Sequence, residues 1–291
     1  MKKVRCLNVK ERQKRVAAIH DVSGFGKCAL TVALPVISAA GIETAVIPTA
    51  VLSTHTGGFT GYTCLDLTDE MKKISAHWKS LGLEFDAIYS GYLASKEQVD
   101  IVADFIDSFR GEGTFAVVDP AMADNGKMYA LLDLGFAKEM KRLCEKADIM
   151  VPNITEACLL LGEEYHSGPY TEEYIGRLVR KLAMLNGGKV VLTGVHFDEN
   201  SIGAACFDYN SGAVYYYLRD RVDGMFHGTG DVFASALTAA LMRGKDLTDA
   251  TRIAVDFTVD SIQRTSFSGD DHRYGVDFEN GLGEFIGMLE E

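Results

Sequence analysis

The chain is short of positive charge: it has 29 Lys and Arg against 41 Asp and Glu in 291 residues, a net charge of −12. Such a surface repels phosphate backbones and anionic headgroups, so neither nucleic acid nor membrane is an expected partner. No apolar run approaches the roughly 18 residues of a membrane span. Met1 to Arg15 is basic but has no apolar centre, so it is not a secretory signal; residues 1–15 read as a solvated N-terminal arm. The six cysteines are scattered, without a C-x-x-C pair. That leaves neither a zinc site nor a disulfide framework, and it fits a reducing cytoplasm. No G-x-S-x-G elbow occurs, which disfavours a serine hydrolase. There is no repeat, low-complexity tract or linker, so residues 16–291 are expected to form one domain. With 47% hydrophobic residues the chain can bury one large α/β core.

Short apolar runs alternate with helical spacing along the chain. Strands are expected at 16–20, 44–51, 87–89, 115–118, 148–151 and 190–192, and an antiparallel hairpin at 203–207 and 214–218. Helices are expected at 29–40, from Thr68, at 96–109, 134–145, 155–161, from Thr171, at 232–242 and 248–264. This order predicts βαβ units: a mostly parallel central sheet with helices on both faces. Ligands then bind beyond the carboxyl ends of the strands, which are followed by polar, Gly-rich stretches.

The most informative of these stretches is Gly228-Thr229-Gly230-Asp231, followed at once by a helical apolar run. Glycines at a helix N-terminus let backbone amides close on an anion, and Asp231 stands beside that position. Amides that neutralise a moving phosphoryl group, with a carboxylate to accept a hydroxyl proton, suit phosphoryl transfer. The same residues also suit an ordinary loop with Asp as N-cap. Gly24 to Ala29 matches a loose dinucleotide pattern, but the acid expected about 20 residues on is missing. Gly26-Lys27 lacks the rest of a Walker A loop. Asp119, Asp124, Asn153 and Glu156 make an oxygen-rich set suited to Mg²⁺, although Asn153 and Glu156 equally suit helix capping. His55, in Ser53-Thr-His-Thr-Gly-Gly58, suits either a polar substrate or its own loop backbone.

Taken in order, Ser53-Thr-His-Thr-Gly57, Ser90-Gly-Tyr92, Asp119-Pro-Ala-Met122, Pro152-Asn-Ile-Thr-Glu156, Val191-Leu-Thr-Gly194 and Gly228-Thr-Gly-Asp231 resemble the pyridoxal/pyridoxamine kinase branch of the ribokinase-like superfamily. The resemblance covers about residues 16 to 265 and implies a three-layer α/β fold. It implies ATP-dependent phosphorylation of the 5'-hydroxymethyl of a B6 vitamer, with Mg²⁺ and room for a monovalent cation. Asp231 would be the base, and Gly228, Thr229 and Gly230 the anion hole. Asp119, Asp124 and Glu156 would organise Mg²⁺. Asn153, Glu156 and Thr193 would meet the nucleotide phosphates, and His55, Thr56 and Tyr92 the pyridine ring. Asp21 or Ser23 would join them, in a first loop, Asp21-Val-Ser-Gly-Phe-Gly26, closer to the hydroxymethylpyrimidine kinase branch. That kinase, another ribokinase-like kinase of small molecules and a non-catalytic B6 sensor are the competing readings. A cytoplasmic homodimer is the expected form.

Overall fold

The structure is a computed structural model that describes residues 12–129, 132–269 and 271–291. The strands are β1 (Arg15–Ser23), β2 (Glu43–Leu52), β3 (Cys64–Asp66), β4 (Ala87–Ser90), β5 (Phe115–Val118), β6 (Ala123–Asp124), β7 (Lys127–Met128), β8 (Ile149–Met150), β9 (Lys189–Val195), β10 (Ser201–Asp208) and β11 (Val214–Asp220). The helices are α1 (Leu30–Ala39), α2 (Thr68–Ser80), α3 (Lys96–Phe109), α4 (Phe136–Cys144), α5 (Ile154–Leu161), α6 (Glu172–Asn186), α7 (Thr229–Met242), α8 (Leu247–Ser268) and α9 (Leu282–Glu290).

The main sheet runs β11-β10-β9-β8-β5-β4-β1-β2-β3. Its inner strands, from β9 to β2, are parallel, while β3, β10 and β11 add antiparallel edges. β1 lies between β2 and β4, and Val16 to Ile19 are at most 1% exposed. Alternate side chains of a strand point to opposite faces, so such a run feeds two cores. Ala17 and Ile19 join the core covered by α2 to α6. Val16 joins the core covered by α1, α7, α8 and α9. A fully buried side chain of this size contributes about 1.5–3 kcal/mol.

The expected parallel sheet and edge hairpin are present. Three local readings change. Thr68 is the first residue of α2, not its cap; its N–H instead reaches Asp66 Oδ1 at 2.9 Å. β3 and the β6–β7 ribbon carry too few residues to show a period. Arg15, assigned to the solvated arm, opens β1, and Arg12 pairs with Asp86; residues 1–11 of that arm lie outside the described residues. No helix among the described residues is long and apolar enough to cross a membrane.

Candidate active site

The N-terminus of α7 lies beyond the carboxyl ends of the parallel strands. Gly228 caps it in the left-handed region, φ 75°. A Cβ at Gly228 would stand 2.0 Å from Lys27 O, so only glycine fits between this turn and the first loop. A Cβ at Gly230 would meet nothing within 4 Å. No side chain caps α7, so its first amides and the positive end of its dipole face open space that an anion can fill. The N-cap is Gly228 rather than Asp231, which removes the ordinary capping role for the acid. Burial pushes the Asp231 carboxyl up to about 7; a backbone bond from Ala29 opposes the shift and the nearby Asp21 charge adds to it. That value suits a group that takes a proton near neutral pH.

Asp21 stands where the β1–β2 register shifts between His20 and Val22. The extra residue lies in β2, where Thr49 and Ala50 together stand opposite Asp21. Asp21 is 7% exposed, and Oδ2 accepts Ser23 Oγ–H at 3.1 Å. Ser23 is thus the partner of Asp21 in this structure.

The 53–62 loop forms one wall. His55 Nδ1 accepts the Gly57 N–H at 3.1 Å, so Nε2 carries the hydrogen and donates it to Arg273 O at 2.6 Å. Both ring nitrogens therefore serve the backbone, the second of the two roles open to this residue. Gly26 is fixed by the same ring, since its Cβ would fall 2.2 Å from His55 Cδ2. Thr56, Phe59, Asp124, Lys127 and Tyr129 line a cleft of about 750 Å³ between this loop and the β6–β7 ribbon. Phe59 packs on His55 at 4.9 Å, and Phe25 packs on Tyr274 at 5.1 Å. Tyr92 is partly buried, its ring 6.3 Å from that of Tyr129. Burial pushes its hydroxyl up to about 12, so it remains a hydrogen-bond donor.

The oxygen-rich set divides by function. Glu156 Oε1 accepts the N–H groups of Met122 and Ala123, at 3.0 and 3.5 Å, while Oε2 accepts that of Asn153 at 2.9 Å. Asn153 Oδ1 returns the bond to Glu156 N, completing a capping box, and its Nδ2 donates to Ala123 O at 2.8 Å. Asp124 is exposed and accepts both N–H and Nδ2–H of Asn125. Thr193 N donates to Pro152 O at 2.9 Å, tying β9 to the start of α5. Asp119 differs: it is 8% exposed, and no protein donor reaches its carboxylate among the described residues. Burial, then the charges of Glu156 and Asp231, raises its pKa well above the carboxylate range. No three Asp, Glu, His or Cys side chains converge on one ready-made cation site among the described residues. The reason is visible in Glu156, whose oxygens are spent on the 119–125 loop and on the cap of α5. A Mg²⁺ bridging nucleotide phosphates needs only one or two carboxylates, and Asp119 fits that requirement.

Lys127, Tyr129, His227, Arg273 and Tyr274 were not singled out in the sequence. Arg273 and Tyr274 lie far along the chain and carry no local motif. Tyr129 sits on an exposed ribbon end. His227 did have a signal, since it directly precedes Gly228; its Nδ1 is 2.6 Å from where a Gly57 Cβ would lie.

A mostly parallel sheet, with a glycine-capped helix start and a half-buried acid at its carboxyl edge, defines a small-molecule kinase of the ribokinase-like class. The phosphomethylpyrimidine kinase family matches residues 32–275, and the chain belongs to that family. A protein of Bacteroides thetaiotaomicron VPI-5482, provisionally called a phosphomethylpyrimidine kinase, is 38% identical, with 95% of both chains covered and a TM-score of 0.90. A second crystal form of that protein holds pyridoxal. The pyridoxal kinase of Lactobacillus plantarum is 29% identical over 95% of this chain and 98% of its own, with a TM-score of 0.86. The hydroxymethylpyrimidine/phosphomethylpyrimidine kinase of Aquifex aeolicus is 27% identical over 69% of this chain and 74% of its own. The chain is therefore a phosphotransferase with an alcohol acceptor, and its relatives include both pyridoxal kinases and hydroxymethylpyrimidine kinases.

Proposed function

We propose that this kinase transfers the γ-phosphoryl group of ATP to the 5'-hydroxymethyl of pyridoxal, pyridoxamine or pyridoxine. The observation that carries the reading is Asp231, poised near neutral pH at the open N-terminus of α7. In the proposed reaction Asp231 takes the proton of the hydroxymethyl group as its oxygen attacks. The amides of Thr229, Gly230 and Asp231 receive the charge of the phosphoryl group in flight. Asp119 would hold Mg²⁺, directly or through water, and the ion would neutralise phosphate charge. Glu156 and Asn153 keep the Asp119 loop in place through backbone bonds. The aromatic wall of Phe59, Tyr92 and Tyr129 suits a flat ring. The pyridoxal-bound relative, at 38% identity, supports the B6 reading.

The second reading, hydroxymethylpyrimidine phosphorylation, draws on the first loop around Asp21 and on the Aquifex relative. An ADP-release assay with MgATP on the three B6 alcohols, hydroxymethylpyrimidine and ribose separates the two. Turnover on the B6 alcohols at micromolar KM is expected; turnover on hydroxymethylpyrimidine alone overturns the proposal. Turnover on none of them, with binding retained, would identify a sensor.

A further inference from the structure

Asp21 is a buried carboxylate without a cation. One oxygen accepts from Ser23, and among the described residues no Lys or Arg pairs with the other. His20, its neighbour in sequence, cannot serve: burial lowers its pKa to about 3 and leaves the ring neutral. Val22, the next residue, pairs with Ala29, whose N–H bonds to the Asp231 carboxylate, and the Asp21 charge is felt by Asp231, Cys28, Cys64 and Tyr92. Two acids, Asp21 and Asp231, thus share one site, and among the described residues no Lys or Arg pairs with either carboxylate. Buried charge is normally paired, because desolvating it alone is costly.

We infer that Asp21 is a specificity-determining residue that receives the ammonium group of an amine-bearing ring alcohol, which makes pyridoxamine the preferred acceptor. The inference rests on the proposed function. It follows from the ring itself: the aminomethyl stands on the carbon next to the one that carries the reacting hydroxymethyl. A substrate that places its hydroxyl at Asp231 therefore offers its ammonium to a group beside Asp231. Pyridoxal presents an aldehyde there and pyridoxine a hydroxyl, neither of which neutralises Asp21. Burial raises the Asp21 carboxyl to about 6, low enough for it to be largely ionised at neutral pH.

The test compares kcat/KM for pyridoxamine, pyridoxine and pyridoxal in the wild type and in Asp21→Asn. A charge-assisted hydrogen bond predicts that the pyridoxamine-to-pyridoxine ratio falls about 10- to 100-fold in Asp21→Asn. Equal losses on all three alcohols, or no change in the ratio, would overturn the inference. Should Asp21→Asn fail to fold, thermal shifts of the wild type decide: a larger shift with pyridoxamine than with pyridoxine is expected, and equal shifts sink the idea. A wild type that phosphorylates none of the three alcohols removes the proposed function itself. One that phosphorylates all three without amine preference removes only this inference.

Discussion

His55 Nε2 lies 2.6 Å from Arg273 O, a bond that closes 218 positions of chain onto one wall of the cleft. The other ring nitrogen is held by Gly57 N–H, so one side chain fixes both the 53–62 loop and the segment before α9. Burial lowers the pKa of His55, which keeps the ring neutral and the two bonds intact near neutral pH.

Removing that ring should loosen the wall without touching the acid. His55→Ala leaves a carbonyl and an amide without partners, each costing about 1–3 kcal/mol where water cannot replace the bond. A fall in Tm of roughly 4–8 °C is expected from that loss. KM for the ring alcohol should rise about tenfold or more while KM for ATP changes little. Calorimetry and two-substrate kinetics check both parts; an unchanged alcohol KM refutes the wall role.

Asp231→Asn separates activity from stability. Loss of a general base costs about 10²–10⁴ in rate, so kcat should fall by that order while ATP still binds. In the wild type, kcat/KM should rise with pH through about 7 as the carboxyl ionises. The stability effect has the opposite sign. A carboxyl whose pKa is raised by folding stabilises the fold below its unfolded value of 3.8, and that contribution is lost as pH rises through about 7. The variant cannot ionise, so at pH 8 it should melt above the wild type. A variant that is both inactive and less stable at pH 8 would show that Asp231 supports the fold instead.

The two flanking glycines should behave differently. Gly228→Ala forces a Cβ to 2.0 Å from Lys27 O at φ 75°, so poor folding is expected. Gly230→Ala meets open space and should keep the wild-type Tm. Its methyl group would stand in the anion position, so kcat should fall while circular dichroism stays unchanged. Full activity in Gly230→Ala would move the phosphate site elsewhere.

The layers and the strand ends were legible because buried parallel strands and amphipathic helices carry strong local patterns. α3 and β5 fall on their expected bounds; the motifs around Asp119 and Asn153 follow the parallel strands β5 and β8, Thr193 lies within β9, and Gly228 follows the antiparallel β11. The division of labour among the acids was not legible. Asp119 and Glu156 are the same chemistry in sequence, yet three backbone amides claim Glu156 and, among the described residues, none claims Asp119. Such a choice depends on how a loop folds back over a helix start, which no spacing encodes. Arg273 and Tyr274 were missed for a related reason: their place in the wall comes from long-range closure onto His55 and Phe25.

That division gives a last expectation, which contrasts two carboxylates. Burial is the first cause of the raised pKa of both. Glu156→Gln turns an amide group toward at least one N–H that now meets an oxygen, at a cost of about 1–3 kcal/mol. Its Tm should fall, and the Mg²⁺ concentration for half-maximal rate should stay within about threefold. Asp119→Asn gives up an acid that no donor among the described residues reaches, so its Tm should hold or rise. Its Mg²⁺ requirement should increase tenfold or more, as expected when a metal-binding carboxylate is lost. Melting curves and Mg²⁺ titrations of the two variants decide the matter. The reverse pattern, with Glu156→Gln needing more Mg²⁺ and Asp119→Asn melting early, would assign the ion to Glu156 and the scaffold to Asp119.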